Sequence, residues 1–147
     1  MKFKYLFISI IVAVFLSSAI SKDNSLKIGE EAPKIETING NNVVVDATTG
    51  LKQRLISFWN PKIASSRISN INLSKEYGIE NEKVEFISIC TDGDEALMAE
   101  VIKLDGLQDI KNYSYSEISP RVFKDYDVKD NPKAFLLSNE GKIIKIL

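Results

Sequence analysis

The sequence predicts an α/β domain in which a central sheet is flanked by helices, and three observations carry this prediction. Two compact apolar runs, Arg54 to Trp59 and Val84 to Cys90, have the length and the β-branched or aromatic content of buried strands. Each run is followed by a segment with helical features, Ser65 to Tyr77 and then a helix after Asp94 that extends to about Lys103. This alternation is typical of parallel strands joined by right-handed crossovers.

The first residues have the features of a secretory signal peptide. Lys2 and Lys4 precede an apolar run from Tyr5 to Ile20 that ends in small residues. A membrane span needs about 20 apolar residues, and this run is shorter. We predict cleavage near Ser21 or Lys22, with an uncleaved anchor, and so a membrane contact through this segment alone, as the alternative.

The rest of the chain has room for one domain. The sequence of 147 residues is divided into a signal peptide at 1–21, a polar linker at 22–31 and a domain at 32–147. A signal peptide implies export, so we expect a location in the periplasm or cell envelope, or outside the cell in an organism with one membrane.

The residue content excludes several kinds of chemistry. The sequence has no histidine, which removes histidine-based hydrolase triads and histidine metal ligands, and its single cysteine cannot form an internal disulfide. The net charge is −1, and no basic patch is interleaved with aromatic residues, so nucleic acid is not an expected partner. We expect no metal and no cofactor, and an unknown protein or small molecule as partner.

Turn residues predict a hairpin at each end of the domain. Between the second helix and the last hairpin, Gln108 to Tyr115 is ambiguous, whereas Ile118 to Tyr126 is predicted to be helical in spite of Pro120. The two hairpins join Ile35–Ile38 to Val43–Val45 around Asn39-Gly40, and Ala134–Leu137 to Lys142–Ile146 around Asn139-Glu140-Gly141.

The carboxyl ends of the two buried strands define the candidate site. Parallel neighbours end at the same edge of a sheet, where ligand sites of open α/β sheets lie, so Trp59 and Cys90 are expected there together. Cys90 is then either a lone thiol that faces a cleft or an inert buried residue. Phe58 and Trp59 are expected to pack in the core rather than to form an aromatic binding surface.

Two groups of charged residues near the same edge are considered as ion sites. Asp92 and Asp94, followed by Glu95, lack the ligand spacing of a calcium hand, and we expect them to form a loop and start the second helix. Lys62 and Arg67 lie near the start of the first helix, where an anion can bind.

Several local strings resemble the thioredoxin-like superfamily, in particular exported TlpA-like proteins and the redoxin group that includes peroxiredoxins. The resemblance implies a thioredoxin-like fold with a mixed sheet and an N-terminal hairpin extension, in a family of thiol-disulfide or peroxide oxidoreductases. It also implies that Pro132 is a cis-proline beside the active site. The matching strings are Gly29-Glu-Glu-Ala-Pro33, Ile56-Ser-Phe-Trp59, Tyr126-Asp-Val-Lys-Asp-Asn-Pro132 and Gly141-Lys-Ile-Ile144.

The sequence departs from this family where the family's reactive cysteines lie. TlpA-like proteins carry a Trp-Cys-x-x-Cys motif after a strand that ends in Phe-Trp. An alignment of that strand with Phe58-Trp59, without gaps, places Ile63 and Ser66 at the two cysteines. In the peroxiredoxin pattern Pro61 and Ser65 fit, but Ile68 occupies the cysteine position. No base is available to activate Ser66, so we expect it to cap the helix.

The resemblance therefore implies a degenerate active site at Trp59, Ile63, Ser66 and Pro132. We expect a redox-inactive binding or accessory module, with a monothiol redox protein that uses Cys90 as the alternative from the enzyme class. Relatives close with a helix after the last hairpin, which is absent from the sequence up to Leu147. An open sheet face of this kind predicts an exposed apolar patch or a homo-oligomer, so a structural role is a third hypothesis.

Overall fold

The structure is a computed structural model that describes residues 25–43, 52–78 and 80–147. The predicted signal peptide at 1–21, as well as Val44 and Val45 of the first predicted hairpin, lie outside the described residues. Among the described residues, no helix has the length and apolar character that a membrane span requires.

The sheet is mixed, as the family resemblance implied, and over the described residues it has five strands in the order β3-β2-β1-β4-β5. The strand β1 lies in the centre, parallel to β2 and antiparallel to β4. At the edges, β3 is parallel to β2 and β5 is antiparallel to β4. The strands are β1 (Gln53–Trp59), β2 (Val84–Cys90), β3 (Lys111–Tyr113), β4 (Ala134–Leu137) and β5 (Ile143–Ile146).

In the part of the chain that the structure describes, three α-helices flank the sheet: α1 (Ala64–Tyr77), α2 (Glu95–Leu104) and α3 (Pro120–Asp125). Helix α1 ends at Gly78, as predicted, and the conformation there requires glycine, because a Cβ would collide with the carbonyl oxygen of Ser74. Helix α2 begins after Asp94, whose carboxylate accepts a hydrogen bond of 3.0 Å from the Leu97 N–H. Such N-caps are typical of aspartate.

The two sheet faces bury separate apolar clusters. One face packs against α3 and the N-terminal segment, in a cluster that includes Ile56, Phe58 and Phe135. On the other face, Leu55 and Phe86 pack with Leu73 of α1, whereas Trp59 and Cys90 pack with Met98 and Val101 of α2. Both faces of the central strand are therefore covered, which explains why its sequence is almost continuously apolar.

The N-terminal segment is joined to the sheet by backbone hydrogen bonds. The N–H of Gly29 donates to the Ile143 carbonyl at 2.7 Å, and the N–H of Ile143 donates to the Glu30 carbonyl at 2.9 Å. Part of the segment predicted as a linker therefore contacts β5. The first hairpin is confirmed over residues 35–43, with a hydrogen bond of 2.8 Å from the Val43 N–H to the Ile35 carbonyl.

Two elements in the middle of the chain differ from the prediction. The ambiguous stretch contains the short strand β3, and the predicted helix from Ile118 to Tyr126 is shorter. A 3-10 turn at Tyr115–Glu117 precedes it, and α3 starts at Pro120. Proline is favoured in the first helical turn, where its missing N–H has no partner to lose, so Pro120 starts the helix and does not interrupt it.

Candidate functional site

The carboxyl ends of β1 and β2 lie side by side, as the sequence predicted. Trp59 is the register partner of Cys90, and the Thr91 N–H donates to the Trp59 carbonyl at 2.8 Å. The side chains of Phe58 and Trp59 are both buried, so they serve as core packing rather than as an aromatic surface. Within the part of the chain that the structure describes, no group of acidic or sulfur side chains is placed to hold a metal ion.

The segment after Trp59 forms a tight turn into α1. Asn60 organises this turn, because its Oδ1 accepts from the Lys62 N–H and its own N–H donates to Ser66 Oγ, both at 2.9 Å. Ile63 occupies the N-cap position and has no side-chain cap. The prediction that Ser66 caps the helix is wrong, since α1 begins at Ala64 and the Ser66 hydroxyl instead accepts a hydrogen bond from Asn60, the residue after the preceding strand.

Both cations near the start of α1 are paired with carboxylates. Lys62 Nζ donates to Asp92 Oδ1 at 2.9 Å, and the Arg67 guanidinium donates two hydrogen bonds of 2.6 Å to Asp105. These pairs argue against the predicted anion site, because the positive charges are already balanced. Asp94 caps α2 through the hydrogen bond to Leu97 described above, and its own N–H donates to Asp92 Oδ1, which confirms the loop and helix-start roles expected of the two aspartates.

The pKa of Asp92 is lowered by the hydrogen bond from Lys62 and also by the backbone N–H of Asp94. We expect the Lys62→Met variant to raise this pKa towards the ordinary value of aspartate. A lowered carboxyl pKa contributes stability above the unfolded-state pKa, and this contribution is lost as the pH falls through the folded-state pKa. The difference in stability between wild type and Lys62→Met should therefore shrink in acid.

Carbon-detected NMR titration of the Asp92 carboxyl group measures this shift. The matched control is Lys75→Met, at the far end of α1, which should leave the Asp92 titration unchanged. An Asp92 titration that is the same in wild type and Lys62→Met would contradict the ion pair.

Cys90 lies in the core and not in a cleft. Its relative exposure is 0%, and its thiol lies 3.4 Å from the carbonyl oxygen of Asp92, to which it donates a hydrogen bond. Burial, together with the charge of Asp92, raises the pKa of the Cys90 thiol from the ordinary 9.0 to about 11, although the charge of Lys62 acts in the opposite direction. Because the thiolate is the reactive form, these features favour the inert alternative.

Pro132 precedes β4 in the position expected from the register. Ser57 faces Ala134, and the Phe58 N–H donates to the Lys133 carbonyl at 2.9 Å, so the chain at Pro132 runs beside the end of β1. The prediction of a cis peptide bond is wrong, because the described residues contain none and the bond before Pro132 is trans. The trans form is the preferred one for most X-Pro bonds, and here it is compatible with the pairing of β4 to β1.

Apolar side chains are exposed around the start of α1. Ile63 is 38% exposed and Ile68 is 58% exposed. Lys62 and Asp92 form an ion pair at the same edge of the sheet. The edge of the sheet therefore carries two exposed apolar side chains as well as paired charges, and it lacks an exposed thiol among the described residues.

No protein-family model matches the chain, and no curated protein matches it significantly. Solved structures do. The C-terminal domain of a candidate thiol-disulfide oxidoreductase from Bacteroides thetaiotaomicron is 28% identical with a TM-score of 0.63, and the match covers 82% of this chain and 86% of that one. A thioredoxin-like protein from Parabacteroides distasonis is 26% identical with a TM-score of 0.62, over 83% of this chain and 88% of that one.

The chain belongs to the thioredoxin-like superfamily. A secreted disulfide oxidoreductase from Mycobacterium tuberculosis has the same fold as this thioredoxin-like domain, with 20% identity and a TM-score of 0.58, over 79% of this chain and 82% of that one. The fold of these thiol-disulfide oxidoreductases is thus present in a chain whose single cysteine is buried.

Sequence reasoning missed how the candidate site of the thioredoxin-like domain is fixed in place. Asp105, which binds Arg67, lies 38 positions further along the chain, after α2. No local pattern marks such a partner, since only the tertiary fold brings the two side chains together. The contact of Ser66 with Asn60 had a weak signal, because a serine near a helix start can bind a neighbouring backbone group other than a helical N–H.

Proposed function

We propose that this thioredoxin-like domain is exported and carries out no dithiol exchange, and that it acts as a binding or accessory module of the periplasm or cell envelope. The observation that carries this proposal is the side chain at the N-cap of α1, after the turn that follows the central strand. That side chain belongs to Ile63, which the family resemblance aligns with the first cysteine of the reactive pair.

The chemistry of dithiol exchange explains why the residue at this position decides whether exchange can occur. A thiolate attacks the substrate disulfide, and a second thiol then resolves the mixed disulfide. The amino end of a helix favours the thiolate because its free N–H groups and dipole stabilise negative charge. An isoleucine at this end has no nucleophile, and the Ser66 hydroxyl already accepts a hydrogen bond from Asn60 and has no histidine beside it.

A monothiol mechanism through Cys90 is the enzyme alternative. Such a mechanism needs an exposed thiol with a lowered pKa. Cys90 is buried and the pKa of its thiol is raised to about 11, so both requirements argue against it.

The features that remain suit binding rather than catalysis. Ile63 and Ile68 present apolar surface at the start of α1, next to the Lys62–Asp92 ion pair. We propose that these exposed apolar side chains form part of a contact surface for a protein or a small molecule. The predicted signal peptide supports export, and the secreted mycobacterial relative is consistent with it. We assign residues 22–31 to a segment that follows the signal and residues 32–147 to the domain.

Turnover of a glutathione-mixed disulfide peptide tests this proposal. We expect the mature protein and its Cys90→Ser variant to give the same rate, equal to the uncatalysed exchange, while an active dithiol oxidoreductase in parallel reports that the assay works. Turnover by the wild type that is lost in Cys90→Ser would overturn the proposal in favour of the monothiol enzyme.

A further inference from the structure

A row of polar side chains crosses the sheet beneath α1. Ser88 in the middle of β2 is the register partner of Ser57 on β1 and of Asn112 on β3. Register partners on parallel strands point to the same face, and this is the face of Leu55 and Trp59, since side chains alternate along a strand. The row therefore lies between the cluster of Leu55 and the cluster of Trp59.

Helix α1 adds a fourth polar side chain at the same level. Its two buried residues are Asn70 and Leu73, and Leu73 packs with Leu55 and Phe86. Because α1 returns antiparallel to β1, Asn70 lies one helical turn closer to the carboxyl ends of the strands, above the serines. The apolar core on this face is accordingly split into two clusters, one on each side of the polar layer.

The atoms of this polar layer do not satisfy one another. Asn70 is 1% exposed and Ser88 is 0% exposed, yet Asn70 Nδ2, Asn70 Oδ1 and Ser88 Oγ have no hydrogen-bond partner among the described residues. Asn112 Nδ2 donates to the carbonyls of Leu107 at 2.7 Å and Ile110 at 3.1 Å, whereas Asn112 Oδ1 has no partner among the described residues.

We propose that this layer, formed by Asn70, Ser88 and Asn112, binds at least one internal water molecule. Buried polar groups in folded proteins are almost always hydrogen-bonded, to protein atoms or to ordered water. A buried water takes two to four partners, and here it would accept from Asn70 Nδ2 and donate to an amide oxygen, with Ser88 able to do either. The layer has no charged side chain and includes an N–H donor, so it suits water better than a cation.

This site lies in the core and is independent of the proposed function. A water held there connects α1 to β2 by hydrogen bonds at the level where apolar contact is interrupted. The water then fills the space between the two apolar clusters and satisfies the polar atoms that face it.

Solvent relaxation dispersion with ¹⁷O, which counts long-lived internal waters, tests the proposal. We expect the Asn70→Leu variant to lose the signal of about one water relative to wild type, because leucine removes one donor and one acceptor. The matched control is Asn72→Leu, an exposed position on the same helix, which should leave the count unchanged. Equal counts in wild type and Asn70→Leu would overturn the proposal.

A second measurement avoids any dependence on the folding of Asn70→Leu. In wild-type protein, the side-chain amide protons of Asn70 should show a nuclear Overhauser effect to a slowly exchanging water, and Ser88→Ala should weaken it. The proposal is wrong if this effect is missing, or if a crystal structure shows the Asn70 amide bonded directly to protein atoms.

Discussion

We expect the double variant Ile63→Cys with Ser66→Cys to reduce disulfides well above the rate of the wild-type chain. Ile63 is the N-cap of α1 and is 38% exposed, so a thiol there is accessible, and position 66 lies in the first turn of the same helix. A helix start that lowers the thiol pKa from about 8.5 to about 7 raises the thiolate fraction at neutral pH more than tenfold. Insulin reduction in the presence of dithiothreitol measures the gain.

The matched control for this experiment carries the same cysteine spacing in the middle of the same helix. Ser69 and Asn72 are exposed, and the variant Ser69→Cys with Asn72→Cys places two thiols three residues apart without the free N–H groups of a helix start. We expect it to stay near the background rate. If both double variants are inactive while folded, the alignment of positions 63 and 66 with the reactive pair is wrong.

The Phe58→Ala variant should lose about 3–5 kcal/mol of unfolding free energy, the range for deletion of a buried phenylalanine. Phe58 lies in the central strand, and its ring centroid is 5.0 Å from that of Tyr126, 6.2 Å from Phe135 and 6.4 Å from Phe123. The cavity left by alanine borders three aromatic rings from α3, the residue after it and β4, which cannot all move to fill it. Urea denaturation followed by circular dichroism gives the value.

Ile38→Ala provides the comparison for Phe58→Ala. Ile38 is a large apolar residue but is mostly exposed, so its truncation should change the unfolding free energy by less than about 0.5 kcal/mol. Similar losses in the two variants would mean that the aromatic cluster around Phe58 does not form the core of this domain.

The sequence predicts the centre of the fold better than its edge. The strands β1 and β2 and the helices between and after them follow from long apolar runs and turn residues, and the adjacency of Trp59 and Cys90 follows from the parallel order. The edge strand β3 has only three residues, and none of them is fully buried, so no apolar run marks it. Its pairing with β2 is a tertiary contact that local sequence does not specify.

The candidate site, like the fold, is predicted from the sequence only in part. The positions of Ile63 and Ser66 at the start of α1 follow from where the first strand ends. The role of Ser66 does not, because a shift of the helix start by one or two residues decides whether its hydroxyl caps the helix or binds Asn60. The cis bond expected at Pro132 came from the family resemblance alone, and the backbone that leads into β4 is trans.

The rate at which Cys90 reacts with a thiol reagent in native and unfolded protein tests most directly whether this domain presents a usable thiol. We expect native labelling to be at least about 100-fold slower than labelling in denaturing urea, because the buried thiol reacts only when the fold opens. Native labelling as fast as that of the unfolded chain would contradict the account, since Cys90 would then be an exposed thiol available for exchange.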